Sequence, residues 1–188
     1  MFFAEYGYQL LKKKNVDPLI KKCGLSNVVV WGRAVTNVLQ KLKHLDPSFS
    51  EWYEPYVKEL KGEPLFKYFY DSRSKILKEG KLSLDEGLSI KKMNFPEDLK
   101  RFPRPPNAGN LVMCASGVWW EIHLQDGSVG KFYVDLPSDM GEIDWRFSEC
   151  PKKYKEIDIS TFGIEELARI FLDYLGKMVE DALKKFGK

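Results

Sequence analysis

The 188-residue sequence has little of what several common chemistries need. Its three cysteines, Cys23, Cys114 and Cys150, are widely spaced and form no CxxC pair, which argues against a disulfide framework and a zinc knuckle. Its two histidines, His44 and His123, cannot build an HExxH zinc motif. The glycine-rich loops GxGxxG and GxxxxGKS or GxxxxGKT, which cradle phosphates, do not occur. We therefore expect no metal site and no cofactor.

Long apolar runs are also missing. The longest, at 28–31 and 111–115, are far shorter than the ~20 residues of a membrane-spanning helix. Residues 1–14 lack the apolar core and small-residue cleavage site of a signal peptide. The 30 basic and 27 acidic residues leave a net charge of +3, which is too small to indicate nucleic-acid or membrane binding by itself. The sequence thus predicts a soluble cytoplasmic protein with no membrane partner.

Helical periodicity is strong in the first part of the chain. After a predicted break at Gly24, apolar residues recur at intervals of three and four from Leu25 to about His44. A fourth helical segment ends at Gly80, a typical C-terminal cap. The positions expected in the core of these helices and of the last one are Val28, Val35, Leu39, Phe69, Leu167 and Phe171.

Between the two helical regions the apolar residues recur at every second position, which predicts a β-hairpin. A two-residue turn would pair Ile122 with Lys131. A bulge or a loop of odd length would pair Ile122 with Phe132 and Trp120 with Val134. We predict the second register because a slip by one residue moves every side chain to the other face. The apolar face is then expected to be buried and consists of Trp120, Ile122, Phe132 and Val134.

The fold class predicted from these elements is α+β in a single domain over 1–188. An antiparallel helical bundle is expected over 1–80 and a β-hairpin lobe over 107–150. A long C-terminal helix over 161–187 is expected to rejoin the bundle. The predicted architecture is therefore a helical bundle with an inserted β-hairpin.

Arg73 lies inside the apolar stripe of the fourth helical segment, three residues from both Tyr70 and Ile76. A buried charge without a partner is costly, so this position requires an explanation. In the structural explanation, the stem of Arg73 packs while its guanidinium reaches water or pairs with Asp71 or Glu79. The functional explanation comes from a resemblance between this helix and a known family.

Residues 64–80, PLFKYFYDSRSKILKEG, resemble the hallmark helix of HEPN-type proteins. They are also similar to a group of uncharacterised bacterial proteins in which a phrase such as PLxxFxxxRNxIxHEG follows a tryptophan-rich helix. The pair Trp52-Tyr53 and the phrase YVDLP at 133–137 fit the same group. The resemblance implies a HEPN-like helical bundle that is often dimeric, and the active members cleave RNA with an arginine and a histidine.

The motif is degenerate in this sequence. Arg73 matches the arginine and Ser74 the polar position after it, but Lys78 stands where the histidine belongs. A lysine with an ordinary pKa of about 10.4 can hold a phosphate but cannot accept a proton near neutral pH. The resemblance therefore implies nucleic-acid binding through Arg73, Lys78, Ser74 and Arg33, and no catalytic residue is assigned.

Three functions remain open, and with them the question of whether the protein is an enzyme. The leading one is a non-catalytic HEPN-like binding or dimerisation module in bacterial stress response or phage defence. The alternatives are a metal-independent ribonuclease that uses Arg73 and a protein–protein interaction module. The candidate partners are RNA, a nucleotide, another protein or a second copy of the chain. A cleft containing Arg33, Arg73 and Lys78 favours the first two functions, and an exposed neutral apolar patch favours the third.

Overall fold

The computed structural model describes residues 1–187 and is α+β, with five α-helices and several short antiparallel strands in that range. The helices are α1 (Phe2–Leu11), α2 (Pro18–Leu39), α3 (Phe49–Gly62), α4 (Pro64–Glu79) and α5 (Ile164–Phe186). The strands are β1 (Leu84–Ile90), β2 (Ala108–Cys114), β3 (Gly117–His123), β4 (Val129–Val134), β5 (Gly141–Phe147), β6 (Lys153–Tyr154) and β7 (Ile157–Asp158). Two 3₁₀ turns occupy Gln40–His44 and Glu97–Arg101.

The expected antiparallel helical bundle with one inserted β-hairpin is wrong. The chain between α4 and α5 forms three antiparallel sheets, in which β1 pairs with β5, β2, β3 and β4 follow in order, and β6 pairs with β7. The pairing of β1 with β5 brings Leu88 opposite Ile143, and residues so far apart in sequence leave no local turn signal. The β part therefore contains much more than the single hairpin predicted.

Phe171 of α5 lies at the centre of the larger core. Its ring stacks on Phe69 of α4, with 4.3 Å between the ring centroids and 6° between the planes. On α2, a Cβ added at Gly32 would lie 2.5 Å from Cε1 of Phe171, so glycine lets this ring reach the helix backbone. The positions expected in the core are confirmed as buried, each with at most 8% of its surface exposed: Val28, Val35, Leu39, Phe69, Leu167 and Phe171.

A second glycine contact joins α1 to α2. A Cβ at Gly24 would lie 2.6 Å from the carbonyl oxygen of Gly7 and 2.7 Å from the backbone nitrogen of Leu11. The predicted break at Gly24 is wrong, because α2 runs through this position without interruption. The helix tolerates the intrinsic cost of glycine here because the missing side chain lets the two backbones touch.

The β-hairpin formed by β3 and β4 has the expected faces but a different register. Trp120 pairs with Phe132 and Val118 with Val134, a shift of two residues from the predicted pairs. Because side chains alternate with a period of two, this shift keeps the same faces, and Trp120 and Val134 are buried. Phe132 was expected to be buried and is 41% exposed. The connecting loop, 124–128, has the predicted odd length.

A smaller apolar core lies within the β part, and several contacts link that part to the helices. The smaller core consists of Phe102, Val118, Trp120, Val134 and Met140. The hydroxyl of Tyr68 on α4 donates a 2.8 Å hydrogen bond to the carbonyl oxygen of Ser148, just after β5. The ring of Phe147 packs edge-on against Phe69, with centroids 5.5 Å apart. None of the helices within 1–187 is long and apolar enough to cross a membrane.

Substitution of Gly24 by alanine tests the close approach of α1 and α2. Because the new methyl group would meet backbone atoms that cannot rotate away, we expect Gly24→Ala to lower the free energy of unfolding by ~1–3 kcal/mol. Gly176, inside α5, is the matched control, since an added Cβ there meets only the Met1 side chain, at 3.9 Å. Gly176→Ala should raise the stability by ~0.5–1 kcal/mol through helix propensity. Chemical denaturation measures both, and an unchanged stability of Gly24→Ala would contradict the packing.

Candidate functional site

A cavity of about 530 Å³ lies where four helices meet, and we call it the Arg33 cavity. Its volume falls within the range of ~300–1,000 Å³ that is typical of sites for small molecules. The α2 helix and the 3₁₀ turn after it, α3, α4 and α5 all contribute to its walls. The lining residues are Arg33, Thr36, Gln40, Tyr53, Val57, Leu60, Lys61, Phe66, Lys67, Tyr70, Phe171 and Leu175.

The floor of the Arg33 cavity is aromatic and rigidly held. Tyr53, Phe66 and Phe171 are all buried, and Phe171 is the ring that packs against Gly32 and Phe69. Because these side chains come from α3, α4 and α5, their packing fixes the relative positions of the three walls. A planar ligand would therefore meet a preformed apolar surface.

Two tyrosine hydroxyls hold α3 against α5 beside this floor. Tyr56 donates a 2.7 Å hydrogen bond to Asp181, and Tyr174 donates a 3.1 Å hydrogen bond to Glu59. Burial and the Asp181 carboxylate raise the pKa of Tyr56 to about 12, so this hydroxyl keeps its proton across the physiological range. These bonds position the α3 residues of the cavity and engage the carboxylates of Glu59 and Asp181.

Three cations surround the opening of the Arg33 cavity: Arg33, Lys61 and Lys67. None of them makes an ion pair with any residue of 1–187. The guanidinium of Arg33 lies over the ring of Tyr70, with 5.4 Å between its Cζ and the ring centroid. Its Nη1 donates a 3.3 Å hydrogen bond to Asn37. Arg33 is thus oriented by two neutral partners, which leaves its charge free for an anion.

The groups that line this cavity are suited to binding an anion. Among the described residues, its lining includes no aspartate, glutamate, histidine or cysteine. These are the side chains that most often exchange protons near neutral pH. Three cations beside aromatic rings suit a ligand with both phosphate groups and a planar ring, since guanidinium and ammonium groups hold phosphate and aromatic faces stack on bases.

Of the four residues predicted to bind nucleic acid, one lines this cavity. Arg33 lies in the wall formed by α2, whereas Arg73, Ser74 and Lys78 do not line it. The Nε atom of Arg73 is buried and makes no hydrogen bond, and its guanidinium pairs with neither Asp71 nor Glu79 nor any other described residue. The expected carboxylate partners of Arg73 are therefore not used.

Ser74 and Lys78 lie in the last two turns of α4. The Ser74 hydroxyl donates a 3.3 Å hydrogen bond to the carbonyl oxygen of Tyr70, one turn earlier. Lys78 is exposed in the final turn, where a positive charge interacts favourably with the helix dipole. Gly80 ends the helix in the left-handed conformation, as its position in the sequence predicted.

Sequence reasoning missed Lys61, Lys67 and Tyr70 as members of a site. Lys67 and Tyr70 are three residues apart on α4 and therefore share a face, which is the one available signal. That face also carries the apolar residues of the helix core, so the pattern does not distinguish a cavity wall from a packed surface. These residues become neighbours of Arg33 only where α3 and α4 meet α2 in the tertiary structure.

A separate feature is an exposed group of rings on α1 and α2, which we call the aromatic patch. It consists of Phe2, Phe3, Tyr6 and Trp31, whose exposed fractions range from 76% for Phe2 to 44% for Trp31. The Phe3 and Trp31 rings are 5.0 Å apart, and the Phe2 and Phe3 rings 5.5 Å apart. Neutral apolar groups of this kind are typical of surfaces that bind another protein.

Comparison with known proteins overturns the HEPN resemblance. The family model for bacteriophage lambda protein ea47 matches residues 11–95, which is less than half of the chain. This segment includes α2, α3 and α4, and with them every cation of the Arg33 cavity. No curated protein and no solved structure matches the chain. Over 11–95 the chain is therefore similar to the phage lambda ea47 family, and the identification as HEPN-like is wrong.

Proposed function

We propose that this chain is a non-catalytic binding protein whose ligand is a nucleotide, either free or as part of an RNA strand. The observation that carries the proposal is the set of unpaired cations, Arg33, Lys61 and Lys67, around an aromatic cavity. The cations would hold phosphate, and the rings would receive the base. We further propose that the protein acts in the cytoplasm and in a phage-related setting, which the similarity of 11–95 to a bacteriophage lambda protein supports.

Charge balance supports a phosphate-bearing ligand over a neutral one. Three positive groups without carboxylate partners repel one another, and an anion placed between them relieves that repulsion. Arg33 can offer paired N–H donors to a phosphate, while Lys61 and Lys67 act as mobile point charges. A neutral apolar ligand would leave all three charges without a partner.

The aromatic component supports a base over a simple inorganic anion. Tyr70 lies beneath the Arg33 guanidinium at the rim, and Tyr53 and Phe66 form part of the floor. Stacking of one base on an aromatic side chain contributes ~1–3 kcal/mol. A nucleotide therefore gains from both the cations and the rings, whereas free phosphate uses the cations alone.

Loss of one cation should weaken nucleotide binding strongly. A hydrogen bond between charged groups contributes ~1.5–3 kcal/mol, and ~1.4 kcal/mol corresponds to a factor of ten in affinity. We therefore expect Arg33→Gln to weaken binding of N-methylanthraniloyl-ADP roughly ten-fold or more, measured by fluorescence titration. Lys58→Gln is the matched control, since Lys58 is exposed on α3 one turn before Lys61 and does not line the cavity. It should leave the affinity unchanged.

A fluorescein-labelled oligoadenylate distinguishes RNA from a free nucleotide. If RNA is the ligand, it binds more tightly than the labelled ADP, its affinity falls with rising salt, and Arg73→Gln or Lys78→Gln weakens it further. Equal losses in Lys58→Gln and Arg33→Gln, or no saturable binding of either probe, would contradict the proposal. RNA cleavage in EDTA that disappears in Arg73→Ala would instead support the metal-independent ribonuclease.

The aromatic patch supports a second candidate function, a protein–protein interaction module that forms a homodimer. We expect light scattering at micromolar concentrations to show a dimer, because Phe2, Phe3 and Trp31 expose contiguous rings. Phe3→Glu should give a monomer. Leu45→Glu is the control, since Leu45 is 80% exposed outside the patch. A monomeric wild-type protein would rule out this candidate.

A further inference from the structure

We propose that the β part of the protein binds a small hydrophobic carboxylic acid, such as a medium-chain fatty acid, in a second cavity beside Arg104. This site, which we call the Arg104 cavity, has a volume of about 630 Å³ and shares no lining residue with the Arg33 cavity. The inference therefore goes beyond the proposed nucleotide binding and does not depend on it.

The walls of the Arg104 cavity are mostly apolar, and Arg104 and Asn110 are the charged and amide side chains among them. They come from β1, from the segment between β1 and β2, and from the β2–β3 pair. The apolar lining residues are Leu88, Ile90, Met93, Phe95, Leu99, Leu111, Met113 and Trp120. Two of them, Phe95 and Ile90, are largely exposed, at 61% and 46%. An apolar chain placed here would remove both from water, which is favourable in proportion to the area covered.

Arg104 is the charged group of this cavity, and among the described residues no carboxylate lines it or pairs with Arg104. Its Nη2 donates a 2.9 Å hydrogen bond to the carbonyl oxygen of Ala108, and its Cζ lies 5.0 Å from the centroid of the Trp120 ring. The nearby Arg101 differs, because it forms two hydrogen bonds of 2.7 and 2.8 Å with Asp139. Arg104 is thus oriented but electrically unpaired.

Beside Arg104, Trp120 provides a donor without a hydrogen-bond partner. It is only 4% exposed, and its Nε1 is buried with no hydrogen-bond acceptor in the part of the chain that the structure describes. Because buried polar groups nearly always have a hydrogen-bond partner, we expect an acceptor for this atom in the bound state. The guanidinium of Arg104 lies over the same indole ring, so its unpaired charge and this donor belong to neighbouring side chains.

A ligand with a carboxylate and an apolar chain matches both the unpaired charge of Arg104 and the apolar walls of the cavity. Its two oxygens can accept paired hydrogen bonds from a guanidinium, which is the strong and geometrically specific form of this interaction. The chain then fills the space between β1 and the β2–β3 pair. A neutral alcohol of the same length would fill that space but could not neutralise Arg104, and this difference is the basis of the test.

Isothermal titration calorimetry of the full chain with decanoate and with decanol, below micelle-forming concentrations, tests the proposal. We expect saturable binding of decanoate, and we expect Arg104→Gln to weaken it about ten-fold or more. Decanol should bind wild type and Arg104→Gln equally. Arg101→Gln is the matched control, because Arg101 is exposed three residues away and does not line the cavity. It should bind decanoate like the wild type.

Two results would overturn the proposal. The first is an absence of saturable decanoate binding to the folded wild-type protein. The second is equal decanoate affinity of the wild type and Arg104→Gln, with far-ultraviolet circular dichroism confirming that the variant is folded. As a second variant, Met113→Lys places a charge in the apolar wall and should abolish binding of both decanoate and decanol. Retained binding of both in folded Met113→Lys would place the ligand elsewhere and also contradict the proposal.

Discussion

The contact between Phe171 and the backbone of α2 at Gly32 sets the arrangement of the helices. The Phe171 ring reaches this backbone because residue 32 has no side chain, and the same ring stacks on Phe69. One residue of α5 thereby fixes the positions of α2 and α4 in a close-packed core. Phe69 in turn contacts Phe147 at the end of β5, so the same contact chain extends to the β part.

The Arg33 cavity is a consequence of this packing. Phe171 forms part of its floor, and the helices that Phe171 holds together carry Arg33 and Lys67 on its rim. The carboxylates of Glu59 and Asp181, which lie on α3 and α5, are engaged by the tyrosine hydroxyls described above, and Glu59 also pairs with Lys155 at 2.7 Å. Because these two carboxylates are engaged elsewhere and Lys61 and Lys67 remain exposed to water at little cost, the cavity keeps three cations without carboxylate partners over an aromatic floor.

The helical core was readable from the sequence because a buried helix face repeats every three or four residues. The pairing of β1 with β5 could not be predicted, because the two strands lie far apart in the chain. This holds even though Ile143, Trp145 and Phe147 alternate with charged residues. The wrong prediction of a break at Gly24 has a similar cause. In sequence a glycine indicates a helix break, and only the tertiary structure shows that the α1 backbone packs against Gly24. Arg33 was found, but Lys61 and Lys67 belong to other helices, so only the tertiary structure groups them. The HEPN resemblance failed because a short amphipathic helix with one arginine is a weak signature.

We propose that the Arg33 cavity is a preformed site for a phosphate-bearing ligand with a planar base. Mapping of backbone amide chemical shifts by NMR during titration with AMP tests it most directly, because it locates the ligand without any substitution. We expect the largest shifts on Arg33, Lys61, Lys67 and Tyr70, and weaker shifts at the same positions with adenosine or phosphate alone. Shifts confined to the β part of the chain, or no shifts at saturating AMP, would contradict it.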